Sequence, residues 1–414
     1  MKRKFFWITL SLINLCIVAL LGATLRTKLL FPVPFIDYKN FLSAHSHFAF
    51  GGWVTLALMI LYIDNLLTPE QKQKNIYQWM LWGIEISSLG MVLSFPFRGY
   101  AFFSILFSTV FIFFSYGFSW IFIRDILRSK KEKVVKLLSV SALLSLIVSS
   151  AGPFTLAYIL ATKTGDAILY RDSIYFYLHF QYNGFFTLSV FALLFNRYSA
   201  NHREGINGKF RQFAFLLCLS VIPGFFLTLL WHADNIYVRI LAITGCILIL
   251  LTLSRLLTFV FNNRMYAIYN AQLARMLVAF SMIAFALKMI LQMGTIVPAL
   301  GNAVFGYRPI IIGFLHLVFL GLVSFYILAN FWEDKLFPED KKISGIAVLF
   351  FSGAVILNET ILLVDGIGLM LSTTHPVYPW LLWIAALLLF TGAILMLGAR
   401  LLKSVDGATI RHAL

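Results

Sequence analysis

Three histidines in this chain sit in the same short pattern. Tyr38-Lys39 precedes His47, Gly52 and Thr55; Tyr170-Arg171 precedes His179, Gly184 and Thr187; Tyr307-Arg308 precedes His316, Gly321 and Ser324. The histidines are 132 and 137 residues apart, and a long internal period of this kind marks a tandem repeat. Neutral imidazole is the commonest transition-metal ligand and the usual axial ligand of haem iron. A six-coordinate haem needs two imidazoles on facing helices, with room for a flat ring between them. Aromatic residues accompany the histidines (Phe48, Phe50, Trp53, Phe180, Tyr182, Phe185, Phe314 and Phe319), although alone they read as helix packing. Lys39, Arg171 and Arg308 stand upstream, suited to anionic haem propionates and equally to anchoring at a membrane interface. His45 adds a further imidazole two residues before His47. The two lie about 200° apart around a helix and so face different sites. Its equivalents are Tyr177 and Phe314, which makes His45 an addition to the repeat, and its role as a ligand stays open.

The elements that position these residues follow from composition. Sixty per cent of the residues are hydrophobic and 12% are charged, and the apolar runs reach the roughly 20 residues that cross a bilayer. The expected fold is all-α, a polytopic membrane protein with one integral-membrane domain over residues 1–414. Its spans are expected near 5–24, 41–63, 78–96, 101–123, 137–161, 174–196, 213–231, 237–260, 271–294, 309–331, 344–363 and 378–398. Residues 1–25 read as an uncleaved first span rather than a removed leader. The histidines fall on spans 2, 6 and 10, so the unit is four helices. That gives three pseudo-threefold repeats, approximately 1–135, 136–270 and 271–414, in parallel about an axis along the membrane normal.

The net charge of +16 belongs largely to connecting segments on one side. They carry Lys2, Arg3 and Lys4, then Arg128, Lys130, Lys131, Lys133 and Lys136, then Arg197, Arg203, Lys209 and Arg211, and finally Arg400, Lys403 and Arg411. This asymmetry predicts cytoplasmic termini in a bacterial-type inner membrane and gives nucleic-acid binding no support. Each histidine then lies about 9 Å below the outer boundary, with its Tyr-Lys/Arg pair about 12 Å higher. The repeat glycines, one turn further in, admit a neighbouring helix or a flat ligand. Cys16, Cys218 and Cys246 form no metal, haem-attachment or disulfide motif. Glu85, Lys288 and Glu359 fall within spans 3, 9 and 11, where such groups mark ion paths or polar networks. His375 reads as an exposed loop residue, and His202 and His412 as solvated.

These residues resemble the heme–copper oxidase subunit I superfamily. The likeness covers nearly the whole chain as a layout of twelve helices in three groups of four, with the strings YLHFQYNGFFT and FLHLVFLGLVS similar to helix 6 and helix 10 segments of C-family oxidases and nitric oxide reductases. The resemblance implies a low-spin haem, b-type, held by His47 (or His45) and His316, with His179 on copper or another second metal. The pattern departs at Phe314, where the family has a second helix 10 histidine. It departs again at Trp231-His232-Ala233-Asp234, where the family has a His-His pair, leaving His232 as the one further metal candidate. A second resemblance, to NnrS-type haem- and copper-containing membrane proteins, rests on His45-Ser46-His47, with Phe48 where that family has Glu. Both imply redox work in respiratory electron transfer or nitric oxide chemistry, with membrane lipids, respiratory subunits and a periplasmic or quinone electron donor as partners. The departures imply an incomplete binuclear centre, which leaves open whether the chain is an oxidoreductase. The alternatives are a twelve-helix transporter or metal/haem-handling permease with a histidine site on the repeat axis, and an assembly subunit without an active site.

Overall fold

A computed structural model describes residues 2–201, 206, 208–233, 235–263, 268–337 and 342–412, with backbone only for 2, 258–263 and 403–412. His202, Arg203 and Asp234 fall outside the described residues, as do the side chains of Lys2, Lys403, Arg411 and His412. The described chain is 88% helix, without strands. Among the described residues, twelve helices are long and apolar enough to cross a membrane: α1 (Arg3–Leu30), α2 (Tyr38–Leu66), α3 (Asn75–Arg98), α4 (Phe102–Arg128), α5 (Lys133–Thr162), α6 (Ala167–Asn201), α7 (Gly208–Leu229), α8 (Ile236–Leu257), α9 (Gln272–Gly294), α10 (Arg308–Glu333), α11 (Lys342–Met370) and α12 (Tyr378–Leu402). Each expected span is met by one of them. Most run on into polar flanks, because a helix can continue past its apolar stretch into the headgroup layer.

The histidine-bearing helices begin under local control. Asp37 and Asp166 cap α2 and α6, accepting hydrogen bonds from the backbone N–H of Asn40 (2.8 Å) and Leu169 (2.9 Å). Pro309 occupies the first turn of α10, where its missing N–H costs nothing. The apolar stretches of α2 and α6 are 83% and 94% buried, against 28–56% for the other ten helices. The centre is therefore built around these two, and α10 joins them. The rings of Phe50, Phe186 and Phe319 meet there at 4.4–5.6 Å, and the Trp53 indole donates to Ser324 Oγ at 2.8 Å. Each ring pair contributes about 1 kcal/mol beyond its buried area.

All three central helices change winding at the same place. Ala49–Thr55, Phe180–Phe186 and Leu317–Ser324 are π-helical, beginning one or two residues after His47, His179 and His316. Hydropathy predicts only uninterrupted helix, so these segments are an addition to that reading. The wider i→i+5 turn is rare and concentrates at functional sites. The repeat hydroxyl has a use in α6, where Thr187 Oγ1 donates to the Tyr182 carbonyl five residues back. The repeat glycine also has a use there. A Cβ on Gly184 would lie 2.3 Å from Ser145 Cβ, so its absence lets α5 reach the π segment.

The opposite ends of α2, α6 and α10 are tied pairwise by three basic residues. Lys131, between α4 and α5, donates to Asn65 O (2.8 Å) and Asn196 Oδ1 (2.7 Å), joining α2 to α6. Arg197 donates to Asn330 Oδ1 (3.1 Å) and pairs with Asp334 (2.9 Å), joining α6 to α10. Lys4 pairs with Asp64 and, at 3.0 Å, with Asp334, closing the ring. Arg197→Ala should destabilise the solubilised protein by about 2 kcal/mol, the usual worth of charged hydrogen bonds. A thermal melt checks this, and an unchanged midpoint would remove the clamp from the account.

Candidate functional site

His45 and His316 share one chemical state. The Nδ1 of His45, on α2, is 3.0 Å from the Val18 carbonyl of α1. The Nδ1 of His316, on α10, is 2.9 Å from the Ile312 carbonyl one turn back. A carbonyl oxygen only accepts, so each Nδ1 carries the proton and donates. Each Nε2 then keeps its lone pair, with no hydrogen-bond partner among the described residues. This is the tautomer of metal-ligating histidines whose second nitrogen is anchored on backbone. Gly22 makes room for the arrangement, since a Cβ there would lie 3.2 Å from His45 Cε1.

Arginine accompanies the pair. Arg26, at the end of α1, lies with His45 within electrostatic range of His316, and also within range of Tyr38, Arg308 and Asp365. Arg26 is half-buried and makes no hydrogen bond or ion pair among the described residues. Arg308 stacks over the Tyr38 ring at 4.7 Å and donates to its hydroxyl at 2.8 Å. Sequence reasoning singled out Arg308 and missed Arg26. The one signal for Arg26 is a lone arginine near the end of an apolar run, and no repeat marks it.

The other histidines have partners of their own. His47 stacks on Phe95 (4.7 Å, 15°), and its Nε2 lies 3.0 Å from the Tyr100 hydroxyl. That turns it toward α3, whereas His45 is the α2 histidine within electrostatic range of His316. His179 is fully buried, with Nε2–H donating to Val221 O (2.7 Å) and Nδ1 accepting from Asn183 Nδ2 (3.0 Å). Asn183 Oδ1 in turn accepts from the buried Lys288 Nζ. Both His179 nitrogens are thus engaged, and a cation beside them would also meet Lys288. His232 bonds Asp172 (2.7 Å), which also accepts from Trp231 (2.9 Å). Arg171 lies 4.4 Å over Trp231 and donates to Tyr175 and to Phe305 O. Lys39 is exposed.

The metal candidates His47, His179, His232 and His316 therefore meet separate partners of their own. Among the described residues no group of three or more His, Cys, Asp or Glu is placed to hold a metal ion. The reason is geometric, because equivalent positions on helices arranged around a centre face different neighbours. Of the ionisable residues inside the spans, Glu85 accepts from Asn14 (2.7 Å), which also donates to Gly52 O (2.8 Å). Glu359 accepts from Asn358 (2.9 Å).

Fold and site together define an all-helical, multi-pass membrane protein with two histidines of one fixed tautomer on its central helices α2 and α10. No protein-family model and no curated protein matches the chain.

Proposed function

We propose that this chain is a membrane redox protein that holds a b-type haem between His45 and His316. The observation that carries the reading is their shared state, with two Nδ1 protons committed to backbone carbonyls and two Nε2 lone pairs left free. The residues fit the group in a second way, because the half-buried Arg26 guanidinium lies within electrostatic range of both histidines and makes no hydrogen bond or ion pair among the described residues. Arg26 and Arg308 would pair with the propionates, while the Val18 and Ile312 carbonyls keep the imidazoles oriented. When bound, the haem supplies a one-electron couple suited to respiratory electron transfer or nitric oxide chemistry.

The wider arrangement belongs to the same proposal. Three four-helix repeats surround an axis along the membrane normal, supported by the three π segments at equivalent repeat positions. The end clamped by Lys4, Lys131 and Arg197 faces the cytoplasm of a bacterial-type inner membrane, and the histidines lie toward the other face. A standard oxygen-reducing centre is not part of it. Phe314 takes the second helix 10 position and packs on Tyr182 at 5.5 Å, and both His179 nitrogens are engaged. A permease reading requires the histidines to converge on one ion, and their separate partners favour the haem reading over it.

The test is the visible spectrum of protein purified after expression with ample haem, compared with single histidine variants. Gly22→Ala should press on the His45 ring and weaken haem affinity roughly tenfold, as loss of an orienting neighbour does. Haem titration of the apoprotein measures this, and unchanged affinity would place the ligand away from His45.

A further inference from the structure

A cavity of about 670 Å³ lies among α6, α9, α10 and α11, on the side of α10 that carries Phe314 and Leu317. Its rim residues Ile283, Ile290, Leu363 and Ile367 are exposed on the flank of the bundle, so the mouth opens sideways between two apolar helices. We propose that this cavity binds an isoprenoid quinone or its quinol. Any redox use of the site rests on the bis-histidine reading, whereas occupancy does not.

The polar groups in the wall select the head of the ligand. Gln292 is only 7% exposed, yet its Oε1 has no partner, and its Nε2 makes no hydrogen bond among the described residues. The Tyr182 hydroxyl is likewise without a partner there. Glu359 uses one carboxylate oxygen on Asn358 and keeps the other. Donors and acceptors are therefore both on offer, matching ring oxygens that accept when oxidised and donate when reduced. No lysine, arginine or histidine lines the cavity. A phospholipid phosphate would find no cationic side chain in the lining and would face Glu359, which favours an uncharged head.

The packing gathers these groups on nearly one level. A Cβ on Gly313 would lie 3.4 Å from Leu362 Cβ, and one on Gly366 would lie 3.0 Å from Ile310 Cγ1. This antiparallel register sets Glu359 beside the Phe314–Leu317 stretch, where Tyr182 packs on Phe314. Gln292 stands one turn along α9 from Lys288, whose Nζ is 6.0 Å from the Tyr182 ring. From Gln292 the cavity follows one face of α9 through Leu287 and Ala284 to Phe280. That is about 18 Å of apolar wall at 1.5 Å per residue, which accommodates a linear tail.

Binding of decylubiquinone to the full chain in lipid nanodiscs tests the proposal. Saturable binding of one molecule per chain is expected, weakened about tenfold by Tyr182→Phe and by Gln292→Leu, one hydrogen bond each. Both variants should elute as monodisperse protein. No saturable binding, unchanged binding in the double variant, or displacement by excess phosphatidylglycerol would each overturn it, the last assigning the cavity to lipid. A His45→Ala/His316→Ala chain should bind the quinone normally. Quinone binding to colourless wild-type protein would sink the haem reading alone, and haem without quinone binding would sink this one alone.

Discussion

Purified wild-type protein should show a Soret band with sharp reduced α and β bands, and both His45→Ala and His316→Ala should lose them. Each variant removes one of the two free Nε2 lone pairs, and the remaining histidine cannot complete a six-coordinate site. Haem occupancy should fall by more than roughly 100-fold, beyond the usual cost of losing an orienting partner. His47→Ala is the informative control. His47 belongs to the repeat pattern and His45 does not, so a reading based on the repeat alone assigns the ligand to His47. The structure turns His47 onto Phe95 and Tyr100, so its loss should leave the bands in place. Bands surviving in His45→Ala and vanishing in His47→Ala would reverse the assignment. Colourless wild-type protein that retains zinc or copper would favour the permease reading.

The second large effect is expected at Asn183. Lys288 is 1% exposed, and the oxygen that takes the place of its water is Asn183 Oδ1. Its other neighbours are weak partners, namely Met289 Sδ at 3.5 Å and the Tyr182 and Phe285 rings at 6.0 Å. Asn183→Leu would leave the buried Lys288 Nζ without its oxygen partner and free the Nδ1 of His179. Leaving a buried donor without its partner costs about 1–3 kcal/mol, so the variant should unfold more readily in detergent. Adding Lys288→Met should recover most of the loss, because an apolar pair of similar size carries no desolvation penalty. A single variant within about 1 kcal/mol of wild type would show that Lys288 is solvated elsewhere.

Much of the scaffold was legible in the residues alone. Hydropathy located all twelve spans because a bilayer-crossing helix must satisfy its backbone internally and show apolar side chains outward. The Tyr-Lys/Arg, histidine, glycine and hydroxyl pattern placed His47, His179 and His316 at equivalent points of α2, α6 and α10. The π segments were not legible, since i→i+4 and i→i+5 bonding use the same residues and packing decides between them. Gly184 against Ser145 and Thr187 on Tyr182 O show that packing in α6.

What the sequence determined by itself was the helical multi-pass class, the helices that carry the histidines and the opposite directions of His45 and His47. Tertiary structure decided which of those two approaches His316. The rotation of α2 about its own axis is set by its neighbours, through the Trp53–Ser324 bond, the Asn14 amide on Gly52 O and the rings around Phe50. That rotation aims His45 at Val18 and His47 at Tyr100. The placement of α1 beside these helices leaves Arg26, unmarked by any repeat, within electrostatic range of His316. A linear pattern specifies which residues share a helix face, and only contact with other helices specifies what that face meets.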